Sequence, residues 1–276
     1  MFKKLLFKVM DPILSRLGEL KNCHNGESCY IIGDGSSIKY FDMSAFSDKP
    51  AFSLNKIFYH KQSNLLNIKY GLFIEPFMFY PYFWDRDDAT VELTGERFFK
   101  NPLQKIFREL IKKRQDVTFF TNLSNYPSLW DPNIYYLFQD IKDPNSKFFE
   151  ECYLSGENIF AGSLRAAISL AIYMGFKEIF LIGCDYTHEL SRSLHWYEKG
   201  KGEVAVMPEF QKSFLDIATK YVKITTITAE GEGSILPAIT YNNFTGRKVL
   251  FKENYDLTDA SLFKVLQSYQ WYKNNL

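Results

Sequence analysis

Short apolar runs recur along the chain, and most stop abruptly on a glycine or a residue able to hydrogen-bond. Cys29-Tyr-Ile-Ile32 runs into Gly33-Asp-Gly-Ser-Ser37, Pro50-Ala-Phe-Ser-Leu54 into Asn55, and Tyr70-Gly-Leu-Phe-Ile74 into Glu75-Pro76. Asp116-Val-Thr-Phe-Phe-Thr121 ends on Asn122, and Lys177-Glu-Ile-Phe-Leu-Ile182 on Gly183-Cys-Asp185. Runs this short, apolar at consecutive positions, predict strands buried on both faces. Lys223 to Thr228 predicts one more. Helical spacing marks Arg97 to Arg114, Leu164 to Met174 closed by Gly175, Pro208 to Tyr221, and Ser261 to Lys273.

Strands alternating with helices predict an α/β fold, a Rossmann-like, mostly parallel, doubly wound sheet with helices on both faces. Two stretches break the rhythm and predict lid elements: 131–155, irregular and rich in aromatics, Asp and Pro, and the polar loop 186–207. Ahead of the sheet, Phe2, Leu5, Leu6, Val9, Met10, Ile13, Leu14 and Leu17 recur at helical spacing between Lys3, Lys4, Lys8 and Arg16. This amphipathic basic helix docks on its own domain or on another subunit of a homo-oligomer, with membrane-surface contact through residues 2–17 as the alternative. Residues 1–28 thus form helix and linker, and 29–276 a single domain.

Composition narrows the field. With 33 basic and 32 acidic residues, the net charge of +1 supplies no field for nucleic acid, so any basic site is local. No apolar run reaches the length of a membrane span. The four cysteines are scattered and form no disulfide framework, which fits a cytoplasmic protein, free in solution or on the inner face of the membrane. Cys23-His24 with Cys29 lacks a second pair at zinc spacing, so no metal site is expected there. Gly-x-Ser-x-Gly and His-Glu-x-x-His are both missing, and with them the markers of serine hydrolases and zinc proteases. Asp85-Arg-Asp-Asp88 resembles a metal-holding Asp-x-Asp but follows an aromatic run and reads as a solvated turn.

The chemistry gathers at the strand ends. Gly33-Asp34-Gly35-Ser36-Ser37 is neither a dinucleotide fingerprint, since Ile38 stands where a third glycine belongs, nor a Walker loop. Its small residues let a ligand approach the backbone, with hydroxyls and N–H groups suited to phosphate or ribose oxygens; a tight turn after a strand is the bland account. Gly183 and Asp185 end the later strand, where a carboxylate accepts from a sugar hydroxyl or simply caps a turn. Gly162 and Ser163 precede the Ala-rich helix, whose N-terminus suits an anion, with Ser163 as N-cap otherwise. In the loop beyond Asp185, His195, flanked by Trp196 and Tyr197, is a better-oriented candidate base than His188 beside Glu189.

In order, these segments resemble the bacterial CMP-sialic acid-dependent sialyltransferases of lipooligosaccharide, and the related 6-hydroxymethylpterin pyrophosphokinase-like proteins of surface-glycan pathways. The similarity runs over roughly residues 29 to 240. It rests on Gly33-Asp-Gly-Ser-Ser37, Asn55, Phe73-Ile-Glu-Pro-Phe77, Ile159-Phe-Ala-Gly-Ser163, Gly175 to Asp185, and the histidine loop. The resemblance implies inverting transfer of sialic acid or a related acidic sugar from a CMP-type donor to a glycan hydroxyl, with no metal or other cofactor. It places the nucleotide on Gly33, Gly35, Ser36 and Asn55, with Gly162 and Ser163 on phosphate or base. His195 becomes the base, and Tyr186 or Tyr197 assists the departing phosphate. Asp34, Ser37, Glu75, Asn122, Gly183 and Asp185 complete the candidate donor site.

Several positions depart from the family. Glu75-Pro76 stands where the family has Asn-Pro, Asn158 replaces an arginine, Thr187 stands where a tyrosine is expected, and the interval from Asp185 to His195 is shorter. Two other functions compete: pyrophosphoryl transfer from ATP, with Mg²⁺ held by Asp34, Asp185 or Glu75, and a nucleotide-binding protein without turnover.

Overall fold

The computed structural model describes residues 9–75, 78–79, 82–84, 98–100, 103–138, 162–192, 194–202, 204–206, 209–231 and 233–267. Twelve strands are described among them: β1 Ser28–Ile32, β2 Ala51–Leu54, β3 Ile68–Phe73, β4 Tyr82–Trp84, β5 Phe98–Lys100, β6 Thr118–Asn122, β7 Ile134–Leu137, β8 Glu178–Ile182, β9 Leu190–Arg192, β10 Val204–Val206, β11 Lys223–Thr228 and β12 Ala238–Thr240. Eight of them form one sheet in the order β12-β11-β8-β1-β2-β3-β6-β7, and every neighbouring pair is parallel. From β1 the chain first winds outward through β2, β3, β6 and β7. It then returns to lay β8, β11 and β12 on the other side, so the order reverses between β1 and β8. In such sheets ligands bind outside the carboxyl ends of the strands, near the reversal.

Consecutive residues of the central strands serve opposite faces. Tyr30, Ile32, Phe73 and Phe119 face one core, while Cys29, Ile31, Leu72 and Phe120 face the other. Helix α1 spans Leu103–Lys113, and the second face is covered by helix α2, Ser163–Tyr173. Ala166, Ala167 and Ala171 let α2 lie close on the sheet, so it is buried on most sides and reads as an apolar run rather than a stripe. By contrast, α1 buries one stripe, Leu103, Phe107 and Ile111. Helices α3 Glu209–Ala218, α4 Tyr241–Thr245, α5 Asn254–Leu257 and α6 Ala260–Gln267 follow along the chain.

The α/β class and the parallel sheet agree with the sequence pattern; several boundaries do not. Within 131–155, Ile134–Leu137 forms the edge strand β7, which pairs with β6 in the main sheet. The remainder, 139–155, lies outside the described residues. The predicted helix from Arg97 begins only at Leu103, because Phe98–Lys100 pairs with β4. The loop 186–207 contains the antiparallel pair β9-β10. Residues 21–28, read as a linker, are part of the body: Asn22, His24 and Gly26 donate backbone N–H groups to the carbonyls of Tyr173, Met174 and Gly175.

The described part of the leading helix docks on its own domain. Residues 9–14 are helical, Leu14 and Leu17 are buried, and Arg16 donates to the carbonyls of Ile134 and Pro132 with its guanidinium 4.6 Å from the Tyr135 ring centre. Among the described residues no helix is long and apolar enough to cross a membrane.

Candidate functional site

At the reversal point the loops after β1 and β8 cross in contact. Gly33 N–H donates to Ile182 O (2.7 Å), and Gly35 N–H to Gly183 O (2.8 Å). A Cβ on Gly33 would stand 2.5 Å from Gly183 O, one on Gly35 2.5 Å from Asp185 Cγ, and one on Gly183, whose φ is +65°, 2.6 Å from Gly33 O. These glycines are required by one loop's approach to the other. Asp185, only 3% exposed, accepts from Ser37 N (2.9 Å), Ser37 Oγ and Ser36 Oγ (3.2 Å). The two hydroxyls and the carboxylate that the sequence offers to a ligand are therefore bonded to each other.

One strand further on, the polar groups are not consumed in this way. Asn55, at the end of β2, holds a left-handed conformation (φ 55°), which asparagine tolerates better than other side-chain-bearing residues. Its Nδ2 donates to Ser163 Oγ (3.3 Å), and its buried Oδ1 has no hydrogen-bond partner among the described residues. An orphaned buried carbonyl costs about 1–3 kcal/mol and wants a donor. Ser163 is the first residue of α2, and the N-cap is Gly162 (φ 86°), which carries no side chain with which to cap this end. The first turn of α2, with the positive end of the helix dipole, therefore lies at the same margin as Asn55, whose Nδ2 reaches Ser163.

Adjacent to Asn55, Lys56 opens a charged cluster. Its backbone N–H donates to Asp34 Oδ2 (3.2 Å), and its ammonium donates to Tyr197 OH (2.8 Å) and Leu266 O (3.2 Å). Burial pulls the Lys56 amine down, opposed by the nearby carboxylates of Asp34, Glu75 and Glu198. Burial pushes the Asp34 carboxyl up, opposed by Lys56 and His195, and holds the Tyr197 phenol well above its ordinary value. Trp196 fixes Asp34 from two sides, with its backbone N–H on Asp34 O (3.0 Å) and its indole N–H on Oδ1 (3.1 Å).

His195 sits at the partly exposed end of this cluster. Its ring stacks on Tyr197, with 5.1 Å between centres, its Nδ1 lies 3.4 Å from Glu198 Oε2, and its backbone N–H donates to the same oxygen (2.7 Å). A carboxylate at Nδ1 orients an imidazole and stabilises the imidazolium formed when Nε2 takes a proton.

Of the sequence-predicted residues, Asp34, Glu75, His195 and Tyr197 are thus gathered around Lys56, and Asn55, Gly162 and Ser163 form the adjoining margin. Gly33, Gly35, Ser36, Ser37, Gly183 and Asp185 form the internal crossing. Tyr186 stands 43% exposed beside that crossing. Asn122, two strands beyond β2, accepts from Ser124 N (2.9 Å) and caps the turn after β6. Sequence reasoning missed Lys56, Trp196 and Glu198. The first follows a strand-ending Asn, and the other two share a turn with His195. Among the described residues no three His, Cys, Asp or Glu side chains converge as metal ligands.

No protein-family model matches the chain, and no curated protein matches it significantly. Solved structures do resemble it. The MAf glycosyltransferase from Magnetospirillum magneticum AMB-1 is 12% identical with a TM-score of 0.43 over 94% of this chain, which spans only 42% of that protein's length. The sialyltransferase CstII from Campylobacter jejuni in complex with cytidine-5'-monophosphate is 16% identical, with a TM-score of 0.45 over 88% of this chain and 98% of that one. The same sialyltransferase with a trisaccharide acceptor and CMP gives 17% identity and a TM-score of 0.42, covering 88% and 99%.

Proposed function

We propose that this protein is a glycosyltransferase of bacterial surface-glycan assembly that moves a sugar from a CMP-type donor to a glycan hydroxyl, with inversion and without a metal. One observation carries the reading: an asparagine in the left-handed region at a strand end keeps a buried carbonyl without a partner among the described residues, beside a helix N-terminus whose N-cap is glycine, with a histidine-carboxylate pair in the adjoining cluster. Asn55 Oδ1 accepts from the nucleotide, and the first-turn N–H groups of α2 take its phosphate. His195 receives the acceptor's hydroxyl proton on Nε2, with Glu198 stabilising the charge that develops on the ring. The acceptor oxygen forms its bond to the anomeric carbon as the bond to the donor's phosphate oxygen breaks, and the electron pair leaves with the phosphate. Tyr197 and Lys56 supply hydroxyl and ammonium donors near that developing charge. A single displacement with the base on the acceptor side inverts the anomeric centre.

A thermal-shift panel of CMP, UDP, GDP and ATP, each with and without Mg²⁺, tests the reading. CMP at about 100 times its Kd should stabilise the protein by about 2.7 kcal/mol, with or without Mg²⁺. A shift seen only with ATP and Mg²⁺ would select pyrophosphoryl transfer. His195→Ala should lower acceptor transfer by about 10²–10⁴-fold, and unchanged transfer would remove it from the mechanism.

A further inference from the structure

The loop that carries His195 continues into a basic rim. Lys199 and Lys201 are exposed on it. The ammonium of Lys201 stands 5.3 Å from the Phe251 ring centre, and that of Lys39 5.9 Å from the same centre. Lys39, wholly buried, donates to the carbonyls of Glu198 and Gly200 and so ties this loop to the segment after β1. Residues 248–253 join the same body through Leu250 N–H on Tyr40 O (3.1 Å), Lys252 N–H on Lys39 O (2.9 Å) and Gly200 N–H on Glu253 Oε2 (3.4 Å).

Lys252 therefore lies alongside Lys199 and Lys201, with Lys248 four positions earlier on the same segment. Lys61 extends the rim, since its charge and that of Lys252 both bear on His60. Of the carboxylates near the rim, Glu198 accepts from His195 N–H, Glu253 from Gly200 N–H, Asp42 pairs with Arg247, and Asp256 stands one turn beyond Glu253, beside the Tyr255 carbonyl that accepts from Lys61. In a chain with 33 basic and 32 acidic residues, such a gathering of lysines is local.

We infer that this rim receives the acceptor, and that the acceptor is an anionic glycan carrying phosphate or carboxylate groups, drawn along Lys199, Lys201, Lys248 and Lys252 toward His195. The inference rests on the transferase reading, in which a glycan hydroxyl must reach that histidine. A saccharide fits better than a lipid surface. Among the described residues, the large apolar side chains standing out near the rim are Leu250 (68% exposed) and Tyr255 (63%), separate residues and not the continuous apolar face that insertion into a membrane requires. Exposed lysines act as point charges at a distance, so their signature is sensitivity to ionic strength.

The probe is fluorescently labelled lactose bearing one phosphate, compared with labelled lactose alone by anisotropy on the full chain. The phosphorylated sugar should bind at least about tenfold tighter at low salt, and the preference should fade as the Debye length falls from about 30 to about 10 Å. Joint Lys199→Glu, Lys201→Glu and Lys248→Glu substitution should erase the preference while leaving the CMP-induced thermal shift as in the wild type. Equal binding of both sugars, or a preference that survives charge reversal, overturns the inference and leaves the transferase reading intact wherever CMP still shifts the protein. Vesicles containing phosphatidylglycerol form a further arm: binding to them that phosphorylated lactose fails to displace assigns the rim to a membrane surface and overturns the saccharide. No shift with any nucleotide defeats the transferase reading, and the inference with it.

Discussion

Two strand-end regions carry nearly the same polar residue types and use them in opposite ways. At the β1-β8 crossing, Asp185, Ser36 and Ser37 bond one another, and the glycines admit a neighbouring backbone. At the β2-α2 margin, Asn55 keeps an acceptor that no described residue meets, and α2 begins on a glycine N-cap. The difference teaches that a Gly/Asp/Ser turn after a strand does not by itself mark a ligand cradle. Satisfied groups hold the fold, and it is the unsatisfied ones beside them that offer binding energy.

The contrast can be broken by substitution, and the largest effect falls on the closed region. Gly35→Ala should destabilise the protein by about 3–5 kcal/mol in denaturant unfolding, because its Cβ would meet Asp185 Cγ and Gly183 O at 2.5 and 2.6 Å. Near-wild-type stability would mean that the crossing is looser than described.

The open region should be the acid-sensitive one. His60, 2% exposed, accepts from Gln62 N–H on Nδ1 and meets the Trp196 ring edge-on at 5.3 Å, behind the indole that holds Asp34. Burial, with Lys252 and Lys61, lowers its pKa from 6.5 to about 4. A depressed value means the unfolded chain takes up the proton first, so this stability is present above pH 6.5 and is lost as pH falls toward 4. The loss should approach about 3 kcal/mol, and His60→Phe should flatten the unfolding free energy over that window. An unchanged pH profile in the variant would exclude His60 as the source.

Asp185→Asn sharpens the comparison further. Removing an acceptor from three converging donors should cost about 2–3 kcal/mol in unfolding while leaving the CMP Kd unchanged. A weakened CMP Kd in the folded variant would return Asp185 to the ligand. Asn55→Gly should do the reverse. Glycine keeps the left-handed backbone without strain, so stability should move by less than about 1 kcal/mol, whereas CMP affinity should fall about tenfold by calorimetry. A variant that binds CMP like the wild type would remove Asn55 from the nucleotide.

Much of the scaffold was legible because burial on both faces leaves a direct trace: β1, β2 and β8 lie where short apolar runs stop on a glycine or a polar residue. Edge strand β7 was not, since Pro132 and the Tyr135-Tyr136 pair look like loop material until β6 is placed beside them. His195 and Tyr197 were legible as oriented loop residues, and Asn55 as a strand terminus. Lys56 was hidden because an exposed and a buried lysine look alike in sequence. Its burial depends on Tyr197 and Leu266, 141 and 210 positions away.

The sequence by itself determined the parallel α/β architecture and set glycine, serine, asparagine and carboxylate residues at the ends of its strands. Local patterning is enough for that, because strand burial and helix capping are set within a few residues. Only the tertiary structure decided which of those groups remain available. Hydrogen-bond satisfaction depends on partners far apart in the chain, and it is Asp185, 148 residues beyond Ser37, that closes the glycine turn and leaves Asn55 as the open position.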